Sequence, residues 1–137
     1  MISIYNFINE KLKLNNQSKL QKKWSIKDAK EGDLIMVSAG EEDLHKTLFL
    51  FKCIFKSKLG EVVGLHAYYT YYNYNDDIIE ILDGDNESHI GEVDNYIDGT
   101  YKNRPATDEE KKLFFNKLNK QGFRWNENKK EIEKIKK

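Results

Sequence analysis

The stretch Lys46 to Lys56 constrains the fold more than any other. Read as a strand, it sends alternate side chains to opposite faces. Phe49, Phe51, Cys53 and Phe55 fall on one face; Leu48, Leu50 and Ile54 fall on the other. A strand apolar on both faces must be covered on both, so it lies inside a sheet that is layered or closed. Ser57-Lys58-Leu59-Gly60-Glu61 then reads as a hairpin connection into a second long strand, Val62 to Tyr74. There Val63, Leu65, Ala67, Tyr69 and Tyr71 share one face, and His66, Tyr68, Thr70, Tyr72 and Tyr74 the other. Shorter strands are expected over 33–38, 78–82 and 89–97.

The clearest helix follows Arg104-Pro105-Ala106. Thr107 and Glu110 form a T-x-x-E capping box, with Asp108 and Glu109 adding negative charge at the positive end of the dipole. Leu113, Phe114 and Leu118 make the apolar stripe, Lys117 and Lys120 suit the last turn, and Gly122 supplies the left-handed stop with Phe123 packing back on Leu118. A helix over 108–121 results. Its first turn is too acidic for a phosphate site. Ile4, Ile8 and Leu12 give an N-terminal helix over 1–14, and Ser25-Ile26-Lys27-Asp28 caps a short turn that Gly32 ends. After Phe123-Arg124-Trp125, residues 131–135 fit a strand paired across 126–129, and a terminal helix over 127–136 fits nearly as well. The reading is α+β: a curved, barrel-like antiparallel sheet of roughly four to six strands flanked by an N-terminal helix and a C-terminal helix. One domain spans 1–137, with 1–20 as a helical extension.

Formal net charge is +0, so composition makes nucleic acid an unfavoured partner. Residues 61–100 hold ten acidic side chains and no lysine or arginine, although lysine is abundant elsewhere. The single cysteine, Cys53, excludes an internal disulfide and a cysteine-based zinc site, and its apolar run suggests a buried thiol. No secretory signal and no apolar run of about 18 residues is present, which predicts a cytoplasmic protein without a membrane span.

His45, His66 and His89 are far apart in sequence, and no serine or cysteine has the context of an activated nucleophile. Asp83-x-Asp85-x-Glu87 lacks the glycine and the terminal glutamate of a calcium loop. No catalytic set, metal site or cofactor is expected. The residues that suggest binding are aromatic and planar. Tyr68, Tyr72 and Tyr74 stand with His66 on the outer face of the second strand; tyrosine offers a flat apolar face, a polar tip and low entropy cost. Three exposed rings require a cover: the N-terminal helix, a symmetry mate in a homo-oligomer, or a ligand. Arg104 and Arg124 are the only arginines, and a planar fork suits phosphate.

From Trp24 to Trp125 the chain resembles a widespread set of short proteins of gut bacteria and their phages. The resemblance is carried by Ile26-Lys27-Asp28-Ala29-Lys30-Glu31-Gly32-Asp33, Phe49-Leu50-Phe51-Lys52, Pro105-Ala106-Thr107-Asp108-Glu109-Glu110, Leu113-Phe114 and Gly122-Phe123-Arg124-Trp125. It implies a mobile-element origin and a counter-defence role, in which such proteins sequester a nucleotide signal or occlude a defence protein. The expectation is a non-enzymatic binder of a small, anionic, nucleotide-like ligand through Tyr68, Tyr72, Tyr74, His66, Arg104 and Arg124. The alternatives are a protein-binding inhibitor whose acidic 61–100 segment mimics nucleic acid before a host defence protein, and a small enzyme.

Overall fold

The computed structural model describes residues 24–39, 45–58, 60–70, 79–82 and 89–135. The expected N-terminal helix, Tyr72, Tyr74 and the Asp83-Asp85-Glu87 turn lie outside these residues. The described chain is α+β. Strands β1 (Leu34–Ala39), β2 (His45–Ser57), β3 (Gly60–Thr70), β4 (Glu80–Ile81) and β5 (His89–Glu92) lead into the short helix α1 (Val93–Ile97). Strand β6 (Lys102–Pro105), helix α2 (Asp108–Lys120) and the hairpin β7 (Phe123–Asn126) and β8 (Glu131–Lys134) complete it. A 3-10 turn, Ile26–Asp28, precedes β1.

The main sheet runs β4-β3-β2-β1-β6, with β5 also on β3, and every pairing is antiparallel. It is open, with β4 and β6 at opposite ends, which corrects the barrel-like expectation. β2 is covered on both faces, as its two-sided apolar pattern requires. On the first face Leu34, Met36, Leu48, Leu50, Ala67 and Tyr69 pack under Phe114 and Leu118 of α2. On the second, Ile35, Val37, Phe49, Phe51, Val63 and Leu65 pack against Ile26, Val93 and Tyr96.

The expected face assignment fails along the β2–β3 pair, because two bulges interrupt it. Leu50 pairs with Ala67 but Phe51 with Leu65, so His66 is extra; Cys53 pairs with Gly64, so Lys52 is extra. An extra residue inverts the alternation beyond it. Val63 and Leu65 therefore join the second face, while Ala67 and Tyr69 join the first. Ile54 packs with Phe49 and Phe51, and Cys53 is exposed rather than buried.

Two further differences follow local chemistry. Residues 89–97 do not continue as one strand: after Glu92 the chain turns into α1, which places Val93 and Tyr96 on one buried side. β6 was not anticipated. It tolerates Pro105 because Ala106 donates to Leu34 O at 2.9 Å, so the missing N–H of Pro105 would have pointed away from β1. Of the two readings open for the C-terminal segment, the strand is the one that forms, over 131–134. Asn126 Oδ1 accepts from the N–H groups of Asn128 and Lys129, and Lys130 takes φ of 52°, which closes a hairpin. The helix α2 forms as expected: Thr107 Oγ1 accepts from Glu110 N at 3.1 Å, and Gly122 stops it with φ of 92°. No helix among the described residues is long and apolar enough to cross a membrane.

Candidate functional site

Both of the chain's two tryptophans line one cavity of about 340 Å³ at the end of the sheet where β1 begins and β6 ends. Trp24 enters from the 3-10 turn on the second face. Trp125 enters from β7, which packs on the first. Between them lie Leu34, Ile35 and Pro105, and α2 contributes Phe115 and Lys111. The volume falls in the range of small-molecule sites, and the lining joins apolar side chains to one lysine, Lys111, and two carboxylates, Asp33 and Glu127.

Local hydrogen bonding fixes each wall. The 3-10 turn beside Trp24 carries a full capping box, with Ser25 N donating to Asp28 Oδ2 at 3.0 Å and Lys27 N to Ser25 Oγ at 3.3 Å. The turn 30–33 is closed by Asp33 N to Lys30 O at 2.9 Å and by Lys30 N to Asp33 Oδ2 at 2.8 Å. Gly32 N donates to Phe51 O and Phe51 N to Asp33 O, which stitches that turn to β2. Gly32 has φ of 94°, and a Cβ there would stand 3.0 Å from the Trp125 ring, so backbone angle and close approach both require glycine. The indole is tied in turn: Trp125 Nε1 donates to Glu127 Oε2 at 2.6 Å, and Glu127 is paired with Lys130. That pairing first, and the indole bond second, hold the Glu127 carboxyl below its ordinary range. Lys111 lies exposed at the rim and forms no ion pair with a described residue.

Of the residues expected from the sequence, the four that are described, His66, Tyr68, Arg104 and Arg124, do not meet in one place. Tyr68 lies on β3, partly buried against the second-face core, directly across from Glu80. A hydrogen bond to that carboxylate and burial push its hydroxyl up to about 12. His66, the bulge residue, points to the first face instead: its ring lies 5.1 Å from that of Trp125. The expectation that Tyr68 and His66 share a face is thus corrected by the bulge. Arg104 lies on β6, three strands from Tyr68 and so about 14 Å away across the sheet. Its fork is bidentate, but onto Glu110, with Nη1–Oε1 of 2.7 Å and Nη2–Oε2 of 3.0 Å. Arg124 pairs with its cross-strand neighbour Glu133, Nη2–Oε2 2.9 Å. Both forks are occupied by carboxylates of the same chain.

Among the described residues two shielded side-chain polar atoms lack a hydrogen bond, Tyr96 Oη and His66 Nε2, and only the second lies beside Trp125. Glu31 Oε2 stands 3.7 Å from His66 Nε2, too far to accept a hydrogen bond. Burial holds the imidazole below its ordinary pKa and Lys52 adds to this, while Glu31 pulls the other way. Among the described residues no cluster of three or more His, Cys, Asp or Glu is placed to hold a metal ion.

Trp24, Gly32, Lys111, Phe115 and Trp125 were not singled out as binding residues from the sequence. The available signal was that the chain has only two tryptophans. Fold and cavity together define an α+β protein with a preformed aromatic slot. In comparison with known proteins, no family model, no curated protein and no solved structure matches the chain.

Proposed function

We propose that the protein is a non-enzymatic binder that sequesters a small, anionic, nucleotide-like ligand, and that the tryptophan slot is where it does so. The observation that carries this reading is the convergence of Trp24 and Trp125 on one cavity with Lys111 at its rim. A planar base stacks on indole faces with a gain of about 1–3 kcal/mol per base, and a lysine supplies the point charge that a phosphate requires. The slot is preferred to Tyr68 because it joins two indole rings to a cation; Asp33 and Glu127 also line it, but Asp33 Oδ2 accepts from the Lys30 N–H and Glu127 is held by Lys130 and the Trp125 indole. A counter-defence role accords with the resemblance to phage proteins. The acidic surface offers a second reading: Glu61, Glu80, Asp94 and Asp98 are all exposed, as a protein-facing nucleic-acid mimic needs.

Tryptophan emission tests the first reading directly, since both fluorophores line the slot. A panel of mono-, di- and cyclic nucleotides should contain at least one that changes emission saturably. Lys111→Gln should weaken that ligand about tenfold, the worth of one charge-assisted contact. Trp24→Ala should abolish binding with the melting transition retained. If no nucleotide perturbs emission of the folded protein at millimolar concentration, the slot reading fails and the acidic surface becomes the better account.

A further inference from the structure

His66, which packs on Trp125, also lines a second cleft, of about 600 Å³, between the β3–β4 edge and the β7–β8 hairpin. Ile81, Leu82, Phe123 and Ile132 give it an apolar wall. Lys52 from β2 and Lys134 from β8 stand at its rim, and neither forms an ion pair with a described residue. Glu131 is the only carboxylate among the lining residues, so the lysines outnumber it. An apolar wall between unpaired cations is complementary to a molecule with an apolar body and one negative end.

The imidazole fits the same picture. Its unpartnered Nε2 faces Glu31, and a buried donor or acceptor left without a partner is costly. A neutral ring is the state that burial favours in the empty cleft. The charged groups facing it are Glu31 from the turn, Lys52 from β2, and Glu131 and Lys134 from β8. An anion beside it, together with Glu31, would favour the protonated ring, whose Nε2–H could then close on the Glu31 carboxylate.

We propose that this cleft is a second binding site, for a small amphipathic organic anion whose carboxylate or sulfonate is held between Lys52 and Lys134 and whose ring or chain lies on Phe123 and Ile132. His66 takes up a proton as the anion binds. Affinity therefore rises as pH falls through the imidazole range, because the bound state holds one more proton than the free state. The site is distinct from the tryptophan slot and does not depend on what the slot binds.

The probe is 1-naphthoate, titrated into the whole chain by calorimetry at about pH 6 and about pH 8, the two sides of the histidine range. The same titration followed by NMR reads the His66 ring. Binding should be severalfold tighter at the acid pH, with the ring resonances moving toward their protonated positions. Lys52→Gln combined with Lys134→Gln should weaken binding by about tenfold or more, since two charge-assisted contacts are lost. Lys134 is exposed and Lys52 half-buried, and the melting temperature verifies the fold of the variant. His66→Gln should flatten the pH dependence; if that variant does not fold, the NMR titration of the parent still decides. Equal binding of the uncharged 1-naphthalenemethanol would overturn the proposal. So would undiminished binding by the double lysine variant, or no movement of the His66 ring in the folded protein. Loss of naphthoate binding in Trp24→Ala with the lysine pair irrelevant would place the probe in the slot and equally overturn it.

Discussion

The two layers that cover the sheet are built by different means. On the first face, α2 runs for 13 residues with a reciprocal cap, an acidic first turn, two lysines in its last turn and a glycine stop. On the second, α1 has five residues, and its N-cap Glu92 makes no side-chain cap bond. A helix that short has too few internal hydrogen bonds to offset its nucleation cost, so tertiary burial of Val93 and Tyr96 must hold it. Helix α2 is specified by its own sequence and α1 by the sheet beneath it. The aromatic slot lies at the seam of the two layers, with one tryptophan from each layer, which is why neither layer alone points to it.

The contrast can be broken most forcefully in the core. Phe114 is fully buried under α2, and Phe114→Ala should lower stability by about 3–5 kcal/mol. Val93, equally buried within α1, should cost about 2 kcal/mol as Val93→Ala, and that variant should loosen α1 as well, since Tyr96 is then its one remaining buried anchor. Urea unfolding gives the first quantity. Hydrogen exchange over 93–97 gives the second, and protection of α1 that survives Val93→Ala would show that its sequence suffices after all.

The seam itself is tested at Gly32. An alanine there must hold a left-handed backbone, at about 1–2 kcal/mol, and must also displace the Trp125 ring or the turn. Gly32→Ala should therefore lower the melting temperature and shift tryptophan emission together. A variant that changes neither would mean that the slot wall is soft.

What the sequence makes legible follows the same division. The capping boxes at Ser25 and Thr107, the stop at Gly122 and the two-sided β2 are properties of a few neighbouring residues, and each is found where its pattern places it. The bulges at Lys52 and His66 have no such signature. Strict alternation through Val63, Leu65 and Ala67 suits an unbroken strand equally well, so the inversion that separates His66 from Tyr68 could not be read. The arginines show a related limit. Their planar forks do meet bidentate or two-donor partners, but Glu110 is six residues from Arg104 and Glu133 nine from Arg124, and composition cannot distinguish such a carboxylate from a phosphate. Gln121, which bridges α2 to Ile79 through both its amide oxygen and nitrogen, belongs to tertiary structure alone.

Smaller effects sharpen the view of α2 as self-specified. Thr107→Ala removes the acceptor for Glu110 N and should cost about 1 kcal/mol, read as a shift in the urea midpoint with binding intact. Glu110 adds a pH signature. Arg104, the largest influence, and the bonds to Thr107 hold its carboxyl near a pKa of about 2, against an ordinary value of 4.5. A depressed carboxylate contributes stability that is fully present above its ordinary value and is lost as pH falls toward the folded one. The stability difference between the parent and Glu110→Gln should accordingly be constant above about pH 5 and shrink between about pH 4 and pH 2. A difference that stays constant over this acid range would show that the Arg104–Glu110–Thr107 cluster adds nothing to the cap.

The smallest effect is expected at Arg124. Its side chain is 62% exposed, and an exposed ion pair is weak because solvent screens it and two flexible side chains must be ordered. Its partner would not be stranded, either. Glu133 Oε1 accepts from Asn126 Nδ2 at 2.8 Å, and Lys129 Nζ lies 3.9 Å from the same oxygen. The hairpin keeps its turn through Asn126 Oδ1 and its pairing of Trp125 with Ile132. Arg124→Gln should thus leave the unfolding midpoint of the parent unchanged, and nucleotide-induced changes in tryptophan emission should be the same in both proteins. Arg104→Gln should differ, because Glu110 sits at the start of α2 and loses its principal counter-charge. If instead Arg124→Gln weakens a ligand substantially with the fold intact, the fork must leave Glu133 when ligand binds, and the arginine belongs to the site that its rarity in the sequence suggested.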